Sequence, residues 1–161
     1  MSEIKFFIRE EPYGFLSNYE RTGFNACTEY GWKDYPTNEH FYQAMKANNE
    51  EVHDWIRNAP HARLAMVLGR QLEHNKYLKD KFMKPDWELQ KQKVMLQGLR
   101  RKFSKKSLAE KLLATGTAVL HEDNPDDEYW GLGKHGTGHS YLGKLLMYVR
   151  DEIRIGESKD A

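Results

Sequence analysis

With one cysteine, Cys27, in 161 residues, the chain can close no internal disulfide and build no thiolate metal cluster. No apolar run approaches the length of a membrane-spanning helix, and the opening MSEIKFFIREE lacks the apolar segment of a secretory leader. A large charge excess is missing too. The formal net charge is +1, whereas a protein that grips nucleic acid non-specifically carries a strong basic surplus. Internal repeats and low-complexity tracts are absent. What is present, 39% hydrophobic and 30% charged residues, is the mix of a globular domain. The expectation is a cytoplasmic enzyme or binding module, one domain over residues 1–161, with a core that needs no covalent staple.

Residues 4–8 read as a short strand, and 24–35, punctuated by Gly23 and Gly31, as a β-hairpin or two short strands. Pro36-Thr37 ends the extended run, and Thr37 suits the N-cap of a helix over 38–48. Further helices are predicted over 50–58 and 60–69, the second opened by Pro60 with Leu64, Val67 and Leu68 as its apolar face. Pro85 opens the longest predicted helix, 86–103, where Val94, Met95, Leu99 and Phe103 recur at helical spacing. Residues 107–115 turn Leu108, Leu112 and Leu113 inward and end at Gly116. A strand over 117–121 and a glycine-rich loop lead to a last helix capped by Ser140, with Leu142, Leu145, Leu146, Val149 and Ile153 as its stripe. Basic residues between Lys76 and Lys111 read as solvated helix faces. This order describes a compact, predominantly helical α+β domain with a few short strands, not an alternating βαβ sheet.

The loop DDEYWGLGKHGTGHSYLG places Gly131, Gly133 and Gly136 at G-x-G-x-x-G spacing. A dinucleotide-binding turn would need a strand running into the first glycine and a second strand after the helix. Here the acidic stretch 122–128 intervenes and a helix follows, so that motif is not met. Gly136 is followed by Thr137, so neither is a P-loop. Glycines before a helix can still converge their N–H groups on an anion, with Trp130 offering a flat face and Asp127 a carboxylate. His135 and His139 have the H-x3-H spacing of some metal sites, but no third ligand accompanies them and no metal is expected. Cys27 reads as a small buried core residue.

In TNEHFYQAMK, Glu39, Gln43 and Lys46 fall at i, i+4 and i+7, sharing one helix face. Glu39 and Lys46 lie about 10 Å apart along the axis, too far for a simple pair but within common reach of one ligand. A solvated stripe and a binding face both fit this spacing. Upstream, YGFLSNY anchors Asn18 among Phe15, Leu16 and Tyr19, where its amide can read a hydroxyl or carbonyl.

Together, YGFLSNY, YPTNEHFYQAMK and DDEYWGLGKHGTGHSYLGKLLMYVR resemble the YbiA-like, or NADAR, domain family, with LGR at 68–70, KF at 102–103 and LLATG at 112–116 in the expected order between them. The resemblance spans nearly the whole chain. It implies an N-glycosidase that cleaves a bond between a ribose C1 and nitrogen, acting on ADP-ribosylated guanine in DNA or on phosphoribosylamino intermediates of riboflavin synthesis. A non-catalytic ADP-ribose- or NAD-binding module is the third reading. The matching positions are Asn18, Glu39, Lys46, Asp127, Trp130 and Gly131. Glu39, Lys46 and Asp127 are the expected catalytic residues. Tyr19, Gln43, Gly133, Gly136 and Gly138 are expected to bind substrate with Asn18, Trp130 and Gly131. Expected partners are an ADP-ribosyl or phosphoribosyl substrate and ADP-ribosylated single-stranded DNA, with no membrane and no cofactor. Where the family usually has Asn before the last helix, this chain has Ser140, which reaches less far.

Overall fold

A computed structural model describes residues 2–8 and 11–160, and it is a predominantly helical α+β structure. The chain divides into two units, Arg21–Arg101 and the combination of Met1–Glu20 with Lys102–Ala161.

The first unit opens with the antiparallel hairpin of β1, Phe24–Thr28, and β2, Gly31–Tyr35. Gly31 at φ +87° supplies the left-handed residue that the tight turn requires. The pleat sends Ala26 into the core and its neighbour Cys27 outward, so Cys27 is exposed rather than buried. Small and apolar is not enough; strand parity decides.

Helix α1, Asn38–Ala44, starts where Thr37 accepts from the His40 amide. It ends earlier than the sequence pattern predicts because residues 46–48 leave the helix to pair with 82–84. Ala47 bridges Met83, the Asn48 amide donates to the Phe82 carbonyl, and the Lys84 amide donates to the Lys46 carbonyl. Next come α2, Glu50–Arg57, capped by Asn49, and α3, Ala62–His74, capped by His61. Helix α3 buries Ala62, Ala65, Gly69 and Leu72; the predicted face of Leu64, Val67 and Leu68 lies partly or fully exposed. Small residues win because α3 packs tightly on α1: a Cβ at Gly69 would sit 1.9 Å from Gln43 Oε1. Helix α4, Lys76–Phe82, buries no residue and so left no apolar stripe for the sequence to reveal. Helix α5, Trp87–Lys102, buries Val94, Met95 and Leu99 at the predicted spacing.

In the second unit, β3, Glu3–Phe6, pairs in parallel with β4, Val119–Glu122. Helix α6, Lys106–Leu113, buries Leu108 and Leu112, and Gly116 follows at φ +64°. Helix α7, Tyr141–Asp160, packs on α6 and β4 through Leu142, Leu146 and Val149. At 20 residues it exceeds the 16 of α5, which the sequence made the longest. Ser140 adopts φ +49° rather than the extended conformation of an N-cap, and its hydroxyl accepts from the Glu122 amide. That hydroxyl fastens the loop to β4, while the Ser140 carbonyl accepts from the Lys144 amide at the start of α7.

Candidate functional site

The polar face of α1 is buried, not solvated. Thr37 fixes its start twice: the hydroxyl oxygen accepts from the His40 amide, and the hydroxyl lies 2.8 Å from His40 Nδ1. His40 Nε2 is 2.9 Å from the Ala59 carbonyl, which can only accept, so Nε2 carries the proton and Nδ1 receives the Thr37 O–H. Burial holds His40 neutral by lowering its pKa. Glu39 and Gln43 on this anchored helix, and Lys46 in the turn just past its end, are all buried. Gln43 Nε2 donates to Glu39 Oε1 at 2.8 Å, orienting the carboxylate, while the amide lies against Gly69. Gln43 Oε1 is buried against Gly69 and has no hydrogen-bond partner among the described residues.

Lys46, 2% exposed, donates to Glu73 of α3. Its ammonium stands 5.3 Å from the ring centre of Tyr42 and 5.9 Å from that of Trp87. Burial lowers the Lys46 pKa, and the Glu73 charge opposes that shift. Sequence reading missed Glu73. It lies 27 positions from Lys46 and on another helix, and nothing in its local pattern marks it out. Glu73 and Trp87 also line a cavity of about 680 Å³ bordered by Lys79, Lys84 and Glu88.

In the other unit, Asn18 is buried and Tyr19 half-buried after the turn at Gly14–Leu16. The Tyr19 amide donates to Ser17 Oγ, and the Ser17 carbonyl accepts from Lys102 Nζ at 2.8 Å. Lys102 is thus a fully buried lysine, not part of a solvated basic face, and burial pushes its pKa down to about 7.

The glycine-rich loop of the same unit turns its amides inward. The N–H groups of Gly133, Gly138, His139, Ser140, Tyr141 and Leu142 all donate to carbonyls between Asn124 and Leu132. Those amides are spent, so they do not form the anion nest that the glycines suggest. The glycines answer a packing demand instead. Gly131 and Gly138 approach backbone so closely that a Cβ would lie 2.9 Å and 2.5 Å from carbonyl oxygens, while Gly133 and Gly136 take φ +71° and +72°. Asp127 Oδ1 accepts from the amides of Tyr129 and Trp130. Trp130 is buried, with Tyr129 edge-on at 4.8 Å. His139 stacks on Tyr141 and His135 is exposed; among the described residues no three His, Cys, Asp or Glu side chains are grouped to hold a metal.

Three comparisons bear on this arrangement. The profile of the NADAR domain matches residues 6–154. The chain belongs to the NADAR domain family. Among NADAR relatives, N-glycosidase YbiA of Escherichia coli is 35% identical over 153 residues, 94% of this chain and 89% of YbiA. The N-glycosidase Npun_R5314 of Nostoc punctiforme is 34% identical over 155 residues, 94% of this chain and 92% of that protein. A riboflavin biosynthesis protein of Vibrio vulnificus, VVA0006, is 32% identical over 152 residues, which is 94% of this chain but 38% of that protein. The solution NMR structure of E. coli YbiA superimposes with a TM-score of 0.81 at 34% identity, covering 97% of this chain and 87% of YbiA. The NADAR fold thus accounts for the whole element order described above. No helix among the described residues is long and apolar enough to cross a membrane.

Proposed function

We propose that this chain is an N-glycosidase that hydrolyses the bond between a ribose C1 and nitrogen, with Glu39 and Lys46 as its reacting side chains. The observation that carries this reading is the burial of Glu39 and Gln43 on one face of α1 together with Lys46 in the turn just beyond it, at a cost in desolvation that a structural stripe has no reason to bear. The N-glycosidase names of two relatives support it. Cleaving an N-riboside develops positive charge at C1, and the Glu39 carboxylate oriented by Gln43 is suited to face that charge.

Lys46 as a neutral amine attacks C1 while the bond from C1 to the leaving nitrogen breaks. Of the two amine protons, one ends on the leaving nitrogen and the other on the ring oxygen as the ribose opens to an imine. Water then adds at the imine carbon and returns the amine. The family resemblance assigns Asp127 as a further catalytic carboxylate and Trp130 and Asn18 to substrate, and single variants test each separately.

The substrate we propose is ADP-ribosylated guanine in DNA, consistent with the near-zero net charge if the base is read in a single strand. The second reading, a phosphoribosylamino intermediate of riboflavin synthesis, is favoured by the likeness to the riboflavin biosynthesis protein of Vibrio vulnificus. Incubation of the purified protein with an ADP-ribosylated guanine oligonucleotide and, in parallel, with the phosphoribosylamino pyrimidine distinguishes them by which base is released. Glu39→Gln should cut that release roughly a hundredfold or more with the fold intact. Near-normal release from the folded variant removes Glu39 from the chemistry, and no release from either substrate by the unaltered protein leaves the binding-module reading.

A further inference from the structure

We infer that Glu73 is a catalytic residue, the base that takes the proton from the Lys46 ammonium and holds it until the amine is regenerated. The inference rests on the reading of Lys46 as nucleophile given above.

An ammonium cannot attack carbon; the nitrogen lone pair must first be freed. The Lys46 side chain is almost wholly withdrawn from solvent at 2% exposure, so bulk water cannot take the proton directly. The charged groups that act on it are few. Glu39 on α1 and Glu73 on α3 favour the ammonium, and Arg70 on α3 opposes it. The rings of Tyr42 and Trp87 face it without offering a basic atom. Glu39 is held by Gln43 and lies seven positions earlier, whereas Glu73 makes the hydrogen bond to Lys46 Nζ.

Glu73 also differs from Lys46 in exposure. Its side chain is 26% exposed and lines the cavity of about 680 Å³. The carboxylate therefore bridges a dry amine and a wet space, the placement a proton relay needs. The step balances simply. The N–H bond to Glu73 breaks, its proton moves to the carboxylate oxygen, and the ammonium becomes an amine with its lone pair free. The Glu73 acid returns that proton, directly or through cavity water, when hydrolysis of the imine regenerates Lys46. Burial helps by lowering the cost of the neutral pair, since the desolvated ion pair is less favoured than it is in water.

The consequence is a pH signature. Transfer inside the pair moves a proton without exchanging one with solvent, so capture of substrate by Lys46 should vary little with pH while the pair holds one proton. Without the carboxylate, the proton must leave to solvent, and capture becomes about tenfold faster per pH unit below the lysine pKa. The test is borohydride trapping during turnover of the ADP-ribosylated guanine oligonucleotide and the phosphoribosylamino pyrimidine, from pH 6 to pH 8, with mass mapping of the adduct. The unaltered protein is expected to give an adduct on Lys46 at rates that change by no more than about threefold over that range. Glu73→Gln, nearly isosteric, should be at least tenfold slower at pH 6 and approach the unaltered protein as pH rises. Glu73→Asp restores an acid and should recover the flat profile at a reduced rate, which also serves if Glu73→Gln fails to fold. If the unaltered protein traps on Lys46 and both variants keep its rate and its flat profile, Glu73 is only a structural counterion and the inference falls alone. If no adduct forms on Lys46 in the unaltered protein, the nucleophile reading fails and takes this inference with it.

Discussion

Two lysines are buried among the described residues, and their surroundings are opposites. Lys46 has a carboxylate partner in Glu73 and two aromatic rings within cation–π distance. Lys102 makes no salt bridge among the described residues; it donates to the Ser17 carbonyl and lies 5.2 Å from the Phe103 ring centre, and the charge of Glu20 favours its protonated form. Both have pKa values lowered by burial. A lysine that holds a carbonyl works whether it carries two protons or three, so Lys102 can serve position without a counterion. A lysine that must exchange a proton benefits from a base at hand. Burial alone therefore does not mark a reactive amine; the partner does.

The sharpest way to break this comparison is to alter both lysines and compare kinetics. Lys46→Arg keeps a positive charge but cannot readily form an imine, so turnover should fall roughly a thousandfold or more. Lys102→Met keeps the volume and loses only the clasp on Ser17, so the turnover number should stay within about tenfold while KM carries most of the loss. Equal losses in the turnover number would erase the distinction.

A third buried base, His53, extends the contrast to stability. It is fully buried beside the Tyr35 hydroxyl at 2.8 Å, and burial lowers its pKa to about 4. Below pH 6.5 the unfolded chain takes up a proton that the folded chain refuses, so stability should fall as pH drops from about 6.5 to about 4. The contribution of His53 is on the order of 3 kcal/mol across that window. Urea unfolding at pH 7 and pH 4.5 measures it, and His53→Gln should flatten the dependence; an unchanged slope would assign the acid lability to other groups such as His40.

The smallest expected effect tests the geometry around Lys46 without touching a reacting group. Gly69→Ala must displace the Gln43 amide, since the new methyl would start 1.9 Å from Oε1 and 2.7 Å from Cδ. Losing the bond that orients Glu39 should reduce turnover about tenfold. Activity at the unaltered level would mean that Gln43 has no role in aiming the carboxylate.

Much of the fold was legible because local chemistry determined it. Thr37 could only cap, Gly31 could only turn, and the spacing of Val94, Met95 and Leu99 could only be a helix face. What spacing cannot say is which face meets a neighbour. Glu39, Gln43 and Lys46 were visible as a set, but a buried set and a solvated one have the same periodicity. The α3 face was misread because a helix that packs closely favours alanine and glycine over the larger residues that hydrophobicity selects. The glycine loop is ambiguous in sequence for a related reason: glycine permits both an open anion nest and close packing, and only the hydrogen-bond partners distinguish them. Glu73 was invisible because its meaning lies entirely in a lysine on another helix.

The parallel pairing of Glu3–Phe6 with Val119–Glu122 has a consequence for how the chain is made. During synthesis the first strand leaves the ribosome long before its partner exists, and residues 21–101 emerge complete in the interval. The entropic cost of joining strands so far apart is met only after most of the chain is present. Until then the early strand is an open edge, able to pair with any other extended segment nearby. Its alternation of Glu3 and Lys5 with Ile4 and Phe6 places a charge of each sign on the face that waits in water. Those two charges guard a nascent chain against its neighbours, a task that ends once the last helices are in place.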